Sequence, residues 1–357
     1  MTHAELHPEL HVVVPGPLEQ RTGGYVYDAH MVAGLREMGW GVHVHNLDGS
    51  FPDPDDTAVD AMNATLERLP EGALVLIDGL AMGGLPAPIE AHGGRLRILS
   101  LVHHPLAEET GLTEAQRQSF FERERRALAP CAGVLVSSRF SAEGLEAYGV
   151  PADRVRAVLP GTESAPPAIG PGPGEPPELL CVASVTARKG HDVLVSALER
   201  VRDLPWRLIC AGSLDRDRLH ADGVLRQVDE AGLADRIDFI GERDPEHLGE
   251  LYHGASLFVL ASYYEGYGMA LAEALARGLP VVSTTGGAIP HTVPADAGIL
   301  VAPGDVDGLG DALGSLLGPD GTTRLDLGEA ARRHASALPS WAESAEAFAA
   351  AIEELAT

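Results

Sequence analysis

The sequence predicts an α/β protein made of two βαβ domains that face each other across a cleft. Its 357 residues exceed one typical domain of about 100–200 residues, so we expect two domains. Short apolar runs alternate with helical stretches in both halves of the chain, which is typical of parallel βαβ units. A segment rich in proline and glycine separates the two halves.

The first half contains five predicted strands. They occupy residues 10–15, 42–46, 73–78, 97–102 and 133–137. A glycine-rich turn at residues 16–24 leads into a predicted helix over residues 25–38, which Gly39 ends. The N-terminal domain is therefore expected to cover residues 1–164.

The second half repeats the pattern after a predicted linker at residues 165–177. This linker has six prolines and three glycines in thirteen residues (APPAIGPGPGEPP), a composition that favours a semi-rigid spacer over a regular element. Predicted strands follow at 179–183, 207–211, 237–240, 257–260 and 281–283, and predicted helices at 192–201, 225–232, 268–277 and 341–355. The C-terminal domain is expected over residues 178–338, with a final helical segment at 339–357.

The charge of the chain excludes some partners. With 52 acidic and 26 basic residues the net charge is -26, and such a field repels nucleic acid and anionic lipid. No apolar run reaches the roughly 18 residues of a membrane span. The N-terminus also lacks the basic start and apolar stretch of a signal peptide. We therefore expect a cytoplasmic protein that binds neither nucleic acid nor membranes.

Two residue types are rare. The three cysteines, Cys131, Cys181 and Cys210, lie far apart and form no CxxC pair, so we predict buried free thiols and no zinc site. Only one of the 26 basic residues is a lysine, Lys189. A chain that otherwise avoids lysine makes this one a candidate for a specific role.

The strongest motif is EGYGMALAE at residues 265–273. Gly266 and Gly268 let the backbone approach a ligand closely. A helix that begins near Gly268 would direct its free N–H groups at phosphate oxygens. Glu265 can reach a sugar from the turn, and Glu273 can accept hydrogen bonds from ribose hydroxyls. The alternative is an ordinary strand–turn–helix with a solvated glutamate at each end.

A second motif, SVTARKG at residues 184–190, follows another predicted strand. Arg188 and Lys189 are adjacent cations there, and fixed cations stabilise the negative charge that grows on a leaving diphosphate. The alternative is a pair of exposed side chains at the start of a helix. The absence of other lysines favours the functional interpretation.

Two further motifs lie in the first half. In TGGY, at residues 22–25, the amides of Gly23 and Gly24 can line a binding site, although a packing turn explains them equally well. The motif does not match G-x-G-x-x-G, so no nicotinamide cofactor is indicated.

His103 and His104 follow a predicted strand, where a histidine can bind a sugar hydroxyl or move a proton. Neighbours in an extended chain point opposite ways, so the pair does not share a metal ion.

Together these motifs resemble the retaining family 4 glycosyltransferases, which have the GT-B fold of two Rossmann-like domains. EGYGMALAEALARGLPVV resembles their E-x7-E signature, and SVTARKG resembles their phosphate-binding loop. TGGY, VHHP, FIGERDP, TTGG and GILVAPGD resemble other segments of the family, so the resemblance covers most of the chain. The chain departs from the family at Ala183-Ser184, where Gly-Arg is common, and at His291, where a glutamate is common.

The resemblance implies a role for each motif. It implies that His103, Lys189 and Glu265 act in catalysis. It implies that the donor is bound by Gly23, Gly24, Arg188, Gly241, Gly266, Tyr267, Gly268, Met269, Ala270 and Glu273. It further implies an N-terminal domain that binds the acceptor, a C-terminal domain that binds the nucleotide sugar, and a last helix that crosses back to the N-terminal domain. Neither a metal nor a cofactor is implied besides the donor.

The expected function is that of a retaining, metal-independent hexosyltransferase. It would take a hexose-type sugar from a nucleotide diphosphate sugar, with uridine as the expected base, and pass it to a soluble small-molecule acceptor. The soluble acceptor follows from the charge, because proteins that act on anionic membranes use basic surfaces to reach them. Two alternatives stay open: a nucleotide-sugar 2-epimerase of the same fold, and a nucleotide-sugar binding protein without turnover.

Overall fold

The computed structural model describes residues 8–318 and 322–357. Their contacts divide into two compact units. Unit 1 consists of the described part of Met1–Gly161 together with Pro339–Thr357, and unit 2 is the described part of Thr162–Leu338. Each unit is built around a six-stranded parallel sheet with helices packed against it. The predicted α/β class with two Rossmann-like domains is confirmed.

Unit 1 has its strands in the order β2-β1-β3-β4-β5-β6. The strands are β1 (Glu9–Pro15), β2 (Gly41–Leu47), β3 (Leu74–Asp78), β4 (Arg97–Val102), β5 (Gly133–Val136) and β6 (Val155–Ala157). The helices are α1 (Gly23–Glu37), α2 (Asp56–Arg68), α3 (Gly79–Met82), α4 (Pro86–His92), α5 (Glu114–Leu128), α6 (Arg139–Gly144) and α14 (Trp341–Leu355).

Unit 2 repeats the architecture with the order β12-β11-β10-β7-β8-β9. The strands are β7 (Glu178–Val182), β8 (Arg207–Ala211), β9 (Ile237–Gly241), β10 (Leu257–Leu260), β11 (Val281–Thr284) and β12 (Gly298–Val301). The helices are α7 (His191–Arg200), α8 (Arg218–Glu230), α9 (Pro245–Gly254), α10 (Met269–Ala276), α11 (Ile289–Thr292), α12 (Val306–Leu317) and α13 (Thr322–Ala335). Among the described residues, no helix combines the length and the apolar composition needed to cross a bilayer.

The central strands are apolar on both faces because helices cover both sides of a parallel sheet. All four residues of β5 (GVLV) and all four of β10 (LFVL) are buried. Strands of this kind are recognisable in sequence as continuous apolar runs, which is why their positions were predictable. Polar residues then accumulate where the strands end, and this places the candidate site.

The last helix, α14, belongs to unit 1. A capping box formed by Ser340 and Glu343 starts it. The ring of Trp341 stacks on that of His30 in α1, with centroids 3.8 Å apart. A Cβ at Gly34 would lie 2.3 Å from the Cβ of Ala345, so this glycine allows α1 and α14 to pack closely.

Some predicted boundaries differ from the structure. The first helix begins at Gly23, two residues earlier than predicted, so Gly23 and Gly24 are helical rather than part of a turn. Helix α8 begins at Arg218 because the Asp217 side chain caps it by accepting the His220 amide. The short strands β6 and β12 had no predicted counterpart.

The proline-rich segment at residues 165–177 is partly bonded to unit 2. The amide of Ala168 donates to the Arg277 carbonyl, and the amide of Ile169 donates to the His253 carbonyl. The segment therefore contributes contacts to unit 2 in addition to connecting it with the preceding chain.

Candidate active site

The loop after β7 carries the two adjacent cations. Residues 187–189 form a short 3-10 turn that ends at Gly190, with φ of 66°. A Cβ at Gly190 would lie 2.2 Å from the Ala261 carbonyl oxygen, so only glycine lets the loop pack against the end of β10. The Tyr263 amide donates to the Arg188 carbonyl at 2.8 Å. The loop after β7 and the loop after β10 are thus fixed to each other.

The lone lysine pairs with the first glutamate of the E-x7-E motif. Lys189 Nζ donates to Glu265 Oε1 at 2.6 Å, and Arg188 Nη1 lies 3.7 Å from Oε2. The Ser262 hydroxyl also donates to Oε1, at 2.6 Å. We call Arg188, Lys189, Ser262 and Glu265 the Lys189 cluster. Its lysine and glutamate side chains are only 18% and 8% exposed, so water screens their charges weakly.

The charges within the Lys189 cluster support each other. Burial would raise the pKa of Glu265, but Lys189 and Arg188 outweigh burial and hold it below its usual value. Burial lowers the pKa of Lys189, and the Glu265 carboxylate opposes that shift. The pair is therefore an ammonium and a carboxylate, with Arg188 adding a second positive charge.

Gly286 and Gly287 hold the backbone of Glu265 in place. The Ala288 amide donates to the Glu265 carbonyl at 2.8 Å. A Cβ at Gly286 would lie 2.3 Å from the Tyr263 carbonyl oxygen, and one at Gly287 would lie 2.4 Å from the Glu265 carbonyl oxygen. The TTGG segment thus lies directly against the loop that carries Glu265, where any larger residue would displace it.

Helix α10 begins immediately after this loop. Gly268 caps it with φ of 91°, and its carbonyl accepts the amides of Leu271 and Ala272. The amides of Met269 and Ala270 belong to the first turn, where the helix provides no acceptor. Amides at the start of a helix can bind an anion, and these two follow Gly266, Tyr267 and Gly268 in the chain.

Glu273 lies in the middle of α10 with a partner that the motifs did not indicate. Its Oε2 accepts the Tyr252 hydroxyl at 2.7 Å. The Arg277 guanidinium packs over the Tyr252 ring at 4.6 Å and donates to the Glu273 carbonyl at 3.1 Å. Burial raises the pKa of Glu273, opposed by Tyr252 and Arg277. The carboxylate is thus oriented, and Oε1 accepts nothing from the described residues.

Gly241 ends β9 with φ of 73°. Its carbonyl accepts the amide of Gly212, which follows β8. A Cβ at Gly212 would lie 2.0 Å from the Ala183 carbonyl oxygen. The FIGERDP segment is therefore at the same carboxyl edge of the unit 2 sheet as the loop after β7.

The predicted residues of unit 1 gather around His103. Its Nε2 lies 2.9 Å from Asp28 Oδ1 and 3.4 Å from Asp78 Oδ2. Asp28 comes from α1 and Asp78 ends β3, and both are buried. A Cβ at Gly24 would lie 3.0 Å from His103 Cδ2, so α1 starts in contact with the imidazole. We call His103, Asp28 and Asp78 the His103 cluster.

The carboxylates of the His103 cluster keep the imidazole charged. Burial alone would lower the pKa of His103, but Asp28 and Asp78 raise it to about 10. Burial raises the pKa of Asp28, with the His103 imidazolium opposing that shift. Ligand atoms of these three residues all lie within 4.8 Å of one another, so the cluster also has the spacing to hold a cation. The ring proton on Nε2 occupies that position when the imidazole is charged.

The structure thus forms two groups from the predicted site residues. Arg188, Lys189 and Glu265 meet in unit 2. Gly241 and helix α10, which carries Glu273, lie at or beyond the carboxyl ends of the same sheet. Gly24 meets His103 in unit 1, with Gly23 preceding it at the start of α1. Sequence reasoning missed four side chains that orient these residues: Asp28, Asp78, Tyr252 and Ser262. Asp78 is the last residue of β3, and His103 directly follows the last residue of β4. This shared position at strand ends was the sequence signal that could have identified Asp78.

Known proteins resemble this chain in sequence and in fold. The model of the family "Glycosyl transferases group 1" matches residues 176–318, which carry the Lys189 cluster and α10. The D-inositol 3-phosphate glycosyltransferase of Nocardia farcinica is 33% identical over 218 residues, which are 57% of this chain and 48% of that relative. The chain thus spans about half the length of the curated relatives it matches.

Two solved structures share the architecture. Sucrose-phosphate synthase from Thermosynechococcus elongatus matches with a TM-score of 0.82 over 98% of this chain and 99% of that chain, at 23% identity. Anabaena HepE in complex with UDP and glucose matches with a TM-score of 0.73 over 97% of this chain and 100% of that chain, at 15% identity. The matched segment and the relatives are those of glycosyltransferases, and the solved structures share the two-domain fold; together they support the resemblance to the GT-B glycosyltransferases of the family 4 kind.

Proposed function

We propose that this protein transfers a hexose-type sugar from a nucleotide diphosphate sugar to a soluble small-molecule acceptor. The transfer retains the anomeric configuration and uses neither metal nor cofactor. One observation carries the proposal: Arg188 and Lys189 converge on the single carboxylate of Glu265 at the carboxyl edge of a parallel sheet. Ligands of open α/β sheets bind beyond this edge.

The Lys189 cluster suits the departure of a diphosphate. When the bond between the sugar C1 and the diphosphate oxygen breaks, negative charge grows on that oxygen. The cluster carries two positive charges and one negative charge, so it retains a net positive charge that attracts the diphosphate. Lys189 is held by Glu265, and Arg188 Nη1 donates to the Tyr264 carbonyl at 2.7 Å. On donor binding Lys189 turns from Glu265 to the diphosphate, and cations that are in place before the bond breaks stabilise the transition state without further reorganisation.

Two glutamates suit the other parts of the donor. The carboxylate oxygens of Glu265 can accept hydrogen bonds from the sugar hydroxyls once Lys189 turns towards the phosphate. Glu273, oriented by Tyr252, can accept ribose hydroxyls with its Oε1. The first-turn amides of α10 supply further donors for phosphate oxygens. Uridine is proposed as the base, and the fold shared with HepE, which was solved with UDP and glucose, supports that choice.

His103 acts in this proposal as a hydrogen-bond donor to the substrate. Its raised pKa keeps it protonated at neutral pH, so it is not a general base there. Nε2 faces Asp28 and Asp78, which leaves the proton on Nδ1 to be donated to a sugar hydroxyl. The acceptor is proposed to bind to unit 1.

Charge supports a soluble acceptor. The net charge of -26 opposes approach to an anionic membrane. If the purified protein pelleted with vesicles rich in anionic lipid at physiological salt, the soluble acceptor would be the wrong choice.

Product analysis tests the proposed reaction. The protein is incubated with UDP-hexoses, with and without a panel of small polyols and sugar phosphates, in buffer containing a chelator. Release of UDP that depends on an acceptor, with an α-configured product from an α-configured donor, is the expected result. A changed sugar without any acceptor would indicate an epimerase, and donor binding without any product would indicate a binding protein.

A further inference from the structure

Two cysteines that are distant in sequence meet in the core of unit 2. Cys181 in β7 and Cys210 in β8 are directly paired in the register of the two parallel strands. Their side chains therefore lie on the same face of the sheet. Both residues are buried, with 1% and 2% exposure, and both are free thiols.

A histidine completes this group. His191 is the first residue of α7 and is 1% exposed. Its Nε2 lies 3.7 Å from Cys181 Sγ. One ligand atom each from Cys181, His191 and Cys210 can be chosen so that all lie within 4.8 Å of one another. We call these three residues the thiol–imidazole cluster.

Packing alone does not account for the histidine. Its Nδ1 is buried and makes no hydrogen bond to any described residue. A buried polar atom without a partner destabilises the folded state, and an aliphatic side chain would fill the same space without that cost. The other ring nitrogen, Nε2, lies within hydrogen-bond distance of the Cys181 thiol, and this is also the position that a ligand to a soft ion would occupy.

We propose that Cys181, Cys210 and His191 bind a thiophilic d10 cation, Zn²⁺ or Cu⁺. Two sulfurs and one imidazole nitrogen form a donor set that both ions accept. A sulfur at about 2.3 Å and a nitrogen at about 2.0–2.1 Å from one ion would be roughly 3.6–3.8 Å apart. The distance of 3.7 Å between Cys181 Sγ and His191 Nε2 fits that value.

Charge neutralisation makes the buried position feasible. Binding releases the protons of both thiols to solvent, because thiolates are the ligands. Two thiolates and a neutral imidazole give a neutral site with Zn²⁺, and a site with one negative charge with Cu⁺. Zn²⁺ usually takes a fourth ligand, whereas three ligands suit Cu⁺, so the two ions are separate arms of the test.

The cluster lies directly behind the loop of Lys189. Cys181 precedes that loop in β7, and His191 follows Gly190 at its end. A bound ion would therefore join β7, β8 and the start of α7, the three elements between which the loop is held. This assignment is independent of sugar transfer, because metal binding is measured without substrate.

Metal content and ligand identity test the assignment on the full-length protein. The protein is purified anaerobically with a reductant and titrated with Zn²⁺, and separately with buffered Cu⁺. Exposed imidazoles are also able to bind Zn²⁺, so X-ray absorption is used to count sulfur ligands. We expect one tightly held ion per chain with two sulfurs in its shell.

The third cysteine provides the matched control. Cys131 is equally buried but lies in unit 1, so Cys131→Ser should retain the ion. Cys181→Ser, Cys210→Ser and His191→Asn should each lose it while keeping their circular dichroism. If a variant does not fold, the number of sulfur ligands that X-ray absorption gives for the wild-type chain still decides the matter. A wild-type shell without sulfur, no stoichiometric ion in either arm, or oxidation of the thiols without metal would overturn the assignment.

Discussion

The Lys189 cluster and the His103 cluster combine the same kinds of group in opposite ratios. In the Lys189 cluster two cations face one carboxylate. In the His103 cluster one imidazole faces two carboxylates. Both lie at the ends of parallel strands, and both are largely shielded from water. With all groups ionised, the first carries a net charge of about +1 and the second about -1.

Under the proposed function, this difference gives the two clusters different tasks. A net positive group held in place attracts a diphosphate and stabilises its departure. A net negative group instead stabilises its own imidazolium, as the raised pKa of His103 indicates. The presence of an ion pair at a strand end therefore does not indicate which ligand binds there. The ratio of positive to negative groups decides which ligand the cluster favours. Five predictions test this comparison.

The largest effect is expected for Lys189→Ala. This change removes the cation nearest to Glu265, so we expect kcat to fall by at least about 10²–10³-fold. Arg218→Ala is the matched control, because it removes one positive charge from an exposed side chain of unit 2 and should leave kcat unchanged. Steady-state kinetics measures both. Equal activity of the two variants would remove Lys189 from the mechanism.

Glu265→Gln should separate diphosphate binding from turnover. Removing the only carboxylate of the cluster leaves both cations unopposed, so UDP should bind more tightly, by up to about tenfold or 1.4 kcal/mol. Turnover should fall by about 10²-fold, because the sugar hydroxyls lose a charged acceptor and the neutral amide oxygen accepts hydrogen bonds more weakly. Calorimetry gives the affinity, and rate assays give kcat. Weaker binding of UDP would show that Glu265 serves mainly to orient Lys189.

Asp28→Asn should change how activity depends on pH. In the wild-type protein the pKa of His103 is raised to about 10, so its charge is constant across neutral pH. Without the Asp28 carboxylate that pKa should fall, and activity should then decrease as pH rises through the lower value. NMR of the imidazole ring measures the pKa directly. An unchanged pKa in the variant would contradict the assigned role of Asp28.

The raised pKa of His103 should contribute to stability in one pH window. The pKa of His103 is higher in the folded state than its usual value of 6.5. The stabilisation is therefore complete below pH 6.5 and is lost as pH rises through about 10. Denaturant unfolding of wild-type protein and His103→Gln at several pH values would show the difference shrinking at alkaline pH.

The smallest effect is expected for Tyr252→Phe. This variant keeps the ring under Arg277 and removes only the hydroxyl that donates to Glu273. A lost hydrogen bond to a charged group costs about 1.5–3 kcal/mol, and solvent can replace part of it. We expect a KM for the donor raised about tenfold with little change in kcat. A change in kcat alone would place Glu273 nearer to the reacting atoms than the ribose.

Much of the fold was predictable because its strands are short apolar runs between helices. The motif residues Lys189 and Glu265 were predictable for the same reason, since each follows such a run. Their contact with each other was not, because 76 residues separate them and only the pairing of β7 with β10 brings their loops together. Sequence spacing indicates which loops share a sheet edge but does not show which side chains touch.

The residues that orient the site were the least predictable. Asp28 lies within α1 and Tyr252 within α9, and neither belongs to a motif. Their roles depend on which helix face packs towards the strand ends. Cys181 and Cys210 show the same limit, because their separation in sequence conceals a direct pairing in the sheet. Each of these contacts depends on how helices and strands pack in the folded chain, which sequence spacing does not show.

The proposed role of Lys189 requires its ammonium group to contact the diphosphate when the nucleotide is bound. A crystal structure with UDP tests this directly. We predict that Nζ leaves Glu265 Oε1, at 2.6 Å in the present structure, and lies within hydrogen-bond distance, about 2.7–3.2 Å, of a β-phosphate oxygen. A complex in which UDP is ordered while Lys189 stays on Glu265, with no phosphate oxygen in reach, would contradict the central claim.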